Sequence, residues 1–322
     1  MARKKTIKVA DTPKRPEGAG VLTTYEDLVR KAKLFAAGKY NLLIVAGSAG
    51  LSKSTIFKAA LEEEVGKNYC FVEANASAWG AYCKLWRHRN QPVLFDDADP
   101  LNETPAGRRL LKQIGQTCQW KQPSWDSKAT QGERAPAPPE FHTSSKVCVV
   151  TNQWAFNEGN AHSTAVEDRG QCYLFSPTAL EVHKYSGSWF WDQCIYDFIA
   201  RHLPYLRRPS CRLYFKTWQE REAGEDWQKY VLEHLFGEGD PEFRIIQLLN
   251  DSGFSSNNMR AKKFTDEGHG SRATFYRHLA DLEERRGMDE VPYIRVEGKK
   301  PEDQPDPMAG MEVAAEDEDC DE

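Results

Sequence analysis

One short stretch constrains the fold of this chain more than any other. An apolar run of strand type, Leu42–Ala46, ends at Gly47, and the turn that follows contains a second glycine, Gly50. The turn leads to a lysine and two hydroxyl residues, Lys53–Thr55, where a helix-like pattern of apolar positions begins. A strand, a glycine turn, a lysine and a helix in this order allow backbone N–H groups to surround an anion. The sequence therefore predicts a phosphate-binding loop between a buried strand and a helix.

This stretch resembles the Walker A motif, or P-loop, with one departure. The resemblance implies ATP as the cofactor and assigns nucleotide binding to Gly47, Gly50, Ser52, Lys53, Ser54 and Thr55. Lys53 is expected to reach the β- and γ-phosphates, and the Ser54 hydroxyl is expected to ligate Mg²⁺. The departure is Ser52, which stands where the motif has a glycine before its lysine. If the backbone needs a positive φ there, the serine is strained, and nucleotide affinity or turnover falls.

The composition is compatible with such a domain and excludes few other classes of protein. A chain of 322 residues with 40% hydrophobic content suits one large or two to three small domains. The net charge of −5 excludes a uniformly basic surface for nucleic acid but leaves room for a local basic patch. No apolar run approaches the roughly 18 residues of a membrane span, and the cysteines form no C-x-x-C pair. These features favour a soluble protein of a reducing, cytoplasmic compartment.

The pattern along the chain divides it into five segments. Residues 1–20 and 301–322 are polar tails, basic and acidic respectively, that we expect to be disordered. Residues 21–178 alternate strand-like and helix-like runs, which predicts an α/β core with a parallel sheet. Residues 179–237 read as helices without a strand and would form a lid, and residues 240–300 form a separate compact pattern. The predicted architecture is a P-loop NTPase core with a helical lid, followed by a small winged-helix domain.

The core segment contains recognisable helix and strand candidates. A helix over Thr24–Ala37 is closed by a glycine. Beyond the strand of the P-loop, the predicted strands are Tyr69–Val72, Val93–Phe95, Val147–Thr151 and Cys172–Phe175. A long polar insertion rich in proline, Lys121–Pro139, is of a kind that in a compact domain is functional or mobile.

Two carboxylates directly follow the strand Val93–Phe95. Such a strand ending in acidic residues, some forty residues after a P-loop, resembles a Walker B strand. One carboxylate then holds Mg²⁺ and the next polarises the attacking water. We assign Asp96 to magnesium and Asp97 to water activation.

A further apolar strand ends in the polar pair Thr151-Asn152. The order Walker A, Walker B and then a strand ending in Thr-Asn resembles that of AAA+ ATPases and superfamily 3 helicases. The resemblance implies that Asn152 is the sensor 1 residue, which orients the water beside the γ-phosphate. The pair Asp96-Asp97 stands where AAA+ proteins usually have Asp-Glu and is closer to superfamily 3 helicases, so the subfamily stays open.

Two arginines are further candidates by the same resemblance. Arg169 precedes the last core strand, and in AAA+ proteins an arginine there projects into the nucleotide of the neighbouring subunit; the alternative is a surface ion-pair residue. Arg212 begins a lid helix and is the candidate for sensor 2, the lid arginine that contacts the γ-phosphate, with Arg207 and Arg208 as rivals. The aromatic stretch Trp189–Trp191 is predicted to be lid core rather than a platform for base stacking.

The C-terminal pattern predicts a recognition helix. Phe275, Leu279 and Leu282 fall at i, i+4 and i+7 and would face the core, with Ser271 as the N-cap. The stretch resembles the recognition helix of bacterial helix-turn-helix proteins, and a strand over Tyr293–Val296 would form a wing. The residues assigned to DNA contact are Arg272, Thr274, Arg277, Arg295, Lys299 and Lys300. Alternatives are a winged helix used for protein contacts and a plain three-helix bundle.

The resemblance implies a Mg²⁺-dependent ATPase that acts on DNA as a homo-oligomer, a ring or a filament. Replication, helicase loading and mobile-element functions all fit this architecture. One alternative is a superfamily 3-type helicase. Another is a binding switch that holds ATP and hydrolyses little, which Ser52 favours and which a complete set of catalytic residues disfavours.

Overall fold

The computed structural model describes much of the chain. The described residues are 19–73, 77–97, 101, 104–126, 136–154, 166, 168–206, 208–236, 240–286 and 292–300. Both predicted tails, apart from residues 19 and 20, lie outside these ranges.

A six-stranded parallel sheet forms the centre of the N-terminal part. Its strands are β1 (Gly20–Leu22), β2 (Leu42–Ala46), β3 (Cys70–Val72), β4 (Val93–Asp96), β5 (Val147–Thr151) and β6 (Gln171–Phe175). The spatial order is β1-β6-β2-β5-β4-β3, and every neighbouring pair is parallel. Because β2 lies inside the sheet and helices cover both faces, all of its residues are buried, which explains its uninterrupted apolar sequence.

Helices cover the sheet and continue beyond it. They are α1 (Tyr25–Ala36), α2 (Lys53–Val65), α3 (Ala78–Arg87), α4 (Pro105–Ile114), α5 (Ala179–Gly187), α6 (Gln193–His202), α7 (Arg212–Glu222), α8 (Trp227–Phe236), α9 (Pro241–Asn250), α10 (Asn257–Asp266) and α11 (Arg272–Arg286). Alternation along β2 divides the core, since Leu43 and Val45 pack on the side of α1 and α2. Leu42, Ile44 and Ala46 pack on the side of α3 and α4. The predicted α/β class with a parallel sheet is confirmed.

The first residues of the fold differ slightly from the prediction. Ala19 is fully buried and Gly20 begins β1, so the predicted basic tail, 1–20, extends two residues too far. Thr24 is the N-cap of α1 rather than its first residue, because its hydroxyl accepts a hydrogen bond from the Asp27 N–H at 3.2 Å. No helix among the described residues has the length and apolar character of a membrane span.

The lid and the C-terminal helices share one apolar cluster. Phe190 and Tyr196 of the lid belong to the same buried set as Ile245, Phe264 and Phe275 of the C-terminal helices. The division between a lid at 179–237 and a separate domain at 240–300 therefore stays a proposal, since continuous packing crosses it.

The predicted wing is wrong for the residues that the structure describes. Residues 292–300 contain no strand. Their backbone contacts the end of α5 and the loop that follows it instead. The Glu297 N–H donates to the Gly187 carbonyl at 2.9 Å, and the Gly298 N–H donates to the Phe190 carbonyl at 2.9 Å. The alternating apolar residues of this segment suggested a strand, but they pack against the lid instead. We call residues 294–298 the strap.

Candidate functional site

Loops from three parallel strands meet at one edge of the sheet. β2 pairs with β5 and β5 pairs with β4, so the residues after Ala46, Asp96 and Thr151 come together at the carboxyl ends of these strands. They border a cavity of about 710 Å³ between the sheet and the lid. Its wall includes Gly50, Leu51, Ser52, Lys53, Ser54, Thr55, Asp96, Asp97, Asn152 and Arg212. The predicted nucleotide residues therefore converge, apart from Gly47, which lies beside the cavity at the end of β2.

Lys53 is held at the centre of the loop. Its Nζ donates to the carbonyl oxygens of Gly47 at 2.7 Å and Ser48 at 2.8 Å. It lies 3.4 Å from Oδ1 of Asn152, and the residue is only 5% exposed. Position 47 needs a glycine because the chain there passes close to the end of β6, and a Cβ would lie 2.5 Å from the carbonyl oxygen of Phe175. The loop thus directs one fixed positive charge toward the ends of β2 and β5.

Ser52 adopts a positive φ, the conformation in which the sequence predicted that a serine would be strained. Its φ is 57° and its ψ is 23°, in the left-handed region. A side chain there costs roughly 1–2 kcal/mol relative to glycine. Ser52 is also the N-cap of α2, yet its side chain makes no capping hydrogen bond. The first N–H groups of α2 are therefore not capped by this side chain, and with the positive end of the helix dipole they suit an anion.

The two residues assigned to magnesium lie in direct contact. The Ser54 hydroxyl donates to Oδ1 of Asp96 at 2.5 Å. Burial, and then the negative charge of Asp96, raise the pKa of the neighbouring Cys148 thiol. A hydroxyl and a carboxylate are hard oxygen ligands, and Mg²⁺ commonly takes one or two of them and completes its shell with water and phosphate oxygens. The residues present therefore fit a magnesium ion bound together with a nucleotide.

The second carboxylate and the sensor asparagine form a pair. Asn152 Nδ2 donates to Oδ1 of Asp97 at 2.7 Å, while its Oδ1 faces Lys53. Asp97 has a φ of 49°, a conformation that aspartate tolerates better than most residues. The pair thus joins the ends of β4 and β5 beside the lysine, where a carboxylate and an amide can orient a water molecule.

The lid contacts the P-loop directly. The Cys211 N–H, at the start of α7, donates to the Gly50 carbonyl at 2.8 Å. Gly50 has a φ of 79°, and a Cβ at this position would collide with the Ser210 hydroxyl. This contact brings Arg212 to the cavity wall, where its side chain is exposed. Of its rivals, Arg208 is absent from the wall and Arg207 lies outside the described residues.

Sequence reasoning missed most of the lid residues in the wall. Phe215, Lys216 and Gln219 lie on the same face of α7 as Arg212, at i+3, i+4 and i+7. That helical spacing is a signal that could have identified them. The wall also contains Tyr185, Ser188 and Trp189 from the end of α5 and the loop after it.

The stretch Trp189–Trp191 packs against the apolar cluster of the lid, as predicted, and Trp189 also borders the cavity. Phe190 is fully buried, whereas Trp189 is half-buried. Tyr185 stacks on Tyr25 with ring centroids 3.9 Å apart, and burial raises the pKa of Tyr185 to about 12. The lid side of the cavity is therefore aromatic and uncharged near the loop, and cationic along α7.

Arg169 lies at the opposite edge of the sheet. It precedes β6, whose first residue, Gln171, pairs with Leu43 at the amino end of β2. A five-residue strand separates the two edges by about 17 Å. The Arg169 guanidinium donates to the Lys112 carbonyl at 3.2 Å and is half-buried. It is therefore not part of the cavity in its own chain.

The candidate DNA residues of α11 divide into exposed and packed positions. Phe275, Leu279 and Leu282 are buried as predicted, and the Ser271 hydroxyl caps the helix by accepting from the Thr274 N–H at 3.1 Å. Thr274 is only half-exposed, whereas Arg277 is exposed.

Arg272 belongs to a small polar network on the same surface. Its guanidinium donates to Oδ1 of Asn258 at 2.6 Å, and the Tyr276 hydroxyl donates to the same oxygen at 2.7 Å. Arg295, Lys299 and Lys300 are exposed on and beyond the strap, not on a wing. The three cationic residues of the C-terminal segment therefore lack the wing strand on which the prediction placed them.

Comparison with known proteins yields only distant likenesses. No protein-family model matches the chain, and no curated protein sequence matches it. Among solved structures, the chain is similar to Cdc6p from Pyrobaculum aerophilum at 14% identity, over 86% of this chain and 88% of that one, with a TM-score of 0.46. It is also similar to the Thermotoga maritima RuvB Holliday junction branch migration motor at 12% identity, over 81% and 88% of the two chains, with a TM-score of 0.40.

A third similar structure is NtrX from Brucella abortus in complex with ATP. The identity is 12%, the coverage 83% of this chain and 69% of that one, and the TM-score 0.39. Likenesses at this level carry no argument about the activity of this chain. In its own structure, the glycine turn, the pair Asp96-Asp97 and the pair Thr151-Asn152 lie at the carboxyl ends of β2, β4 and β5 of one parallel sheet.

Proposed function

We propose that the chain is a Mg²⁺-dependent ATPase that works on DNA as a homo-oligomer. The observation that carries the nucleotide part is the meeting, in one cavity, of a buried lysine, a hydroxyl–carboxylate pair and a carboxylate–amide pair. A glycine loop with only a structural role would need neither the hydroxyl–carboxylate pair nor the carboxylate–amide pair.

Each residue has a distinct part in this proposal. Lys53 and the N–H groups at the start of α2 bind the phosphates, and Ser54 with Asp96 hold the magnesium ion. The ion, when bound, neutralises charge that develops on the phosphates. Asp97 accepts a proton from the attacking water, and Asn152 fixes the position of that water.

The lid residues supply the remaining contacts. Arg212 and Lys216 bring positive charge to the phosphates from α7, where stabilisation of developing negative charge lowers the barrier. The rings of Trp189 and Phe215 offer apolar faces on which a purine base can stack. Base stacking on Trp189 departs from the sequence prediction, which assigned this residue to the lid core rather than to a stacking platform.

The position of Arg169 supports the proposed oligomer. In its own chain it lies at the sheet edge opposite the cavity, so it can act on a γ-phosphate only from a neighbouring subunit. Arginines that complete a nucleotide site in this way increase turnover by about 10³- to 10⁵-fold in other NTPases.

The DNA part rests on α10 and α11. Two helices joined by a short glycine turn, with Arg272 and Arg277 exposed on the second, suit the major groove of a duplex. Contact with a protein partner is the alternative for this module. Ser52 favours a different alternative for the whole chain, a switch that binds ATP and hydrolyses little, because its conformation is strained.

The experiment that tests the proposal compares Asp97→Asn with the parent protein. We expect the variant to keep ATP binding and to lose turnover by about 10²-fold or more, the usual contribution of a general base. Chelation of Mg²⁺ with EDTA is expected to abolish parent turnover. The matched control is Asp226→Asn, a change at an exposed helix cap on the lid. A parent protein that binds ATP without Mg²⁺-dependent turnover would support the switch, and equal turnover in Asp97→Asn would refute the assignment of the base.

A further inference from the structure

The loop between α5 and α6 contacts two parts of the molecule, the cavity and the strap. On one side, Ser188 and Trp189 of this loop line the nucleotide cavity. On the other side, the loop forms backbone hydrogen bonds with the strap, residues 294–298. The loop is therefore the part of the lid through which the C-terminal segment can influence the cavity.

The strap is attached at two consecutive N–H groups. The Glu297 N–H donates to the Gly187 carbonyl at 2.9 Å, and the Gly298 N–H donates to the Phe190 carbonyl at 2.9 Å. Gly187 is the last residue of α5 and Phe190 lies in the loop, so these two carbonyls precede and follow Trp189. The conformation of the segment that carries the Trp189 ring is thus fixed from both sides by the strap.

Gln193 adds a third attachment from the first turn of α6. Its Oε1 accepts from the Val296 N–H at 3.0 Å, and its Nε2 donates to the Ile294 carbonyl at 3.0 Å. A side-chain amide that pairs with both an N–H and a carbonyl of one extended segment fixes its register. The side chains of Ile294 and Val296 pack on the apolar cluster of the lid and C-terminal helices.

Position 298 leaves no space for a side chain. A Cβ on Gly298 would overlap the Trp189 carbonyl group and lie 2.7 Å from the Phe190 carbonyl carbon. The obstructing atoms are backbone, so the strap or the loop would have to move. Glycine is therefore required here by the closeness of the two segments.

We propose that the strap positions Trp189, and through it controls how tightly the cavity holds a nucleotide. The inference rests on the proposed nucleotide function and adds a way of regulating nucleotide affinity. The helix α11 precedes the strap in the chain and packs in the same apolar cluster as the lid, so a change at α11 can reach the strap. Gln193 and Gly298 are positioning residues in this scheme and do not touch the nucleotide.

The test measures binding of a fluorescent ATP analogue and steady-state hydrolysis by full-length variants. Gly298→Ala displaces the strap from the loop. Gln193→Ala removes both side-chain hydrogen bonds to the strap, and a third to Asp197, while leaving the loop backbone intact. Both are expected to weaken binding about threefold to tenfold, the range for one or two lost hydrogen bonds, and to raise KM more than they lower kcat. Glu297→Ala is the control, because its side chain is exposed and only its backbone N–H contacts the lid.

A second background separates positioning from general loss of stability. In Trp189→Ala, the strap variants have no ring to position, so neither is expected to weaken binding further, although each still lowers the melting temperature. Losses that add fully to that of Trp189→Ala would overturn the proposal, as would unchanged binding in both strap variants. The same assay with Lys53→Ala keeps the two claims apart, because binding by Lys53→Ala equal to that of the parent would refute the nucleotide site itself.

Discussion

The sequence predicted the cavity at the edge of the sheet more accurately than it predicted the C-terminal module. In the cavity, five of the assigned residues form two hydrogen-bonded groups, as expected from the convergence of the strand ends. Asn152 bonds with Lys53 and Asp97, and Ser54 bonds with Asp96. In the C-terminal module, the helices form as expected, but the strand Tyr293–Val296 does not, and the segment that contains it packs on the lid.

The difference has a physical origin. Parallel strands force their carboxyl ends to one edge, so a polar residue directly after a buried strand has little freedom of position. An alternating apolar segment such as 293–296 fixes no partner, because either a second strand or a helical surface can bury its apolar side chains. Motifs tied to a sheet therefore predict a site, whereas a short isolated pattern predicts only a tendency.

Arg169 gives the sharpest test of whether the sheet-based assignments extend beyond one chain. Arg169→Ala is expected to lower turnover by about 10³-fold or more, because the transition state loses its charge from the neighbouring subunit. Mixing this inactive variant with inactive Lys53→Ala is expected to recover part of the turnover, since some interfaces then combine an intact loop with an intact arginine. The measurement is hydrolysis as a function of mixing ratio.

The control for the mixing experiment is each variant alone at the same total concentration. Turnover by a parent protein that remains monomeric at the assay concentration would exclude an arginine acting from a neighbour. Arg169 would then be only a residue that supports α4 through the Lys112 carbonyl.

Arg277 tests the predicted DNA contact of the C-terminal module. Its exposed side chain lies on the face of α11 opposite Phe275, so Arg277→Ala is expected to weaken duplex DNA binding by about tenfold or more without changing ATP hydrolysis in the absence of DNA. Binding is measured by fluorescence anisotropy at low and moderate salt, with Arg30→Ala, an exposed arginine on α1, as the control for charge. Equal affinities of Arg277→Ala and Arg30→Ala for duplex DNA would favour a module that contacts a protein partner instead.

Ser52 gives the smallest expected effect and distinguishes an ATPase from a switch. Ser52→Gly removes the left-handed strain and is expected to tighten ATP binding or raise turnover by about fivefold, which corresponds to roughly 1 kcal/mol. Ser52→Ala keeps the strain and removes only the hydroxyl, so it serves as the matched control. Weaker binding by Ser52→Gly would show that the loop is adapted to serine.

The sequence predicted the strands and the P-loop, but not the lid residues that border the cavity. The strands β2 and β5 begin and end where the apolar runs do, and the positive φ of Ser52 follows from its place in the motif. Trp189 was assigned only to the lid core, and Lys216 was not identified, although its helical spacing from Arg212 was a signal. Whether either residue borders the cavity depends on how the lid packs over the loop. Neither residue carries a motif, and only the fold brings them to the cavity.

The strap illustrates the same limit. Nothing in residues 294–298 indicates that their partner is Gly187 or Phe190, more than a hundred residues earlier in the chain. Such a contact arises from tertiary packing, and only position 298 leaves a trace in the sequence, as a glycine whose requirement is steric.

The most direct test of the central claim is equilibrium binding of ATP in the presence of Mg²⁺ to the parent protein and to Lys53→Ala. Lys53 is buried and its ammonium is held by two loop carbonyls, so it supplies fixed positive charge where the phosphates would lie. Calorimetric titration of the parent is predicted to saturate, and Lys53→Ala is predicted to show no measurable binding while its melting curve stays cooperative. Lys33→Ala, an exposed change on α1, should bind like the parent. Undiminished ATP affinity in a folded Lys53→Ala protein would contradict the account.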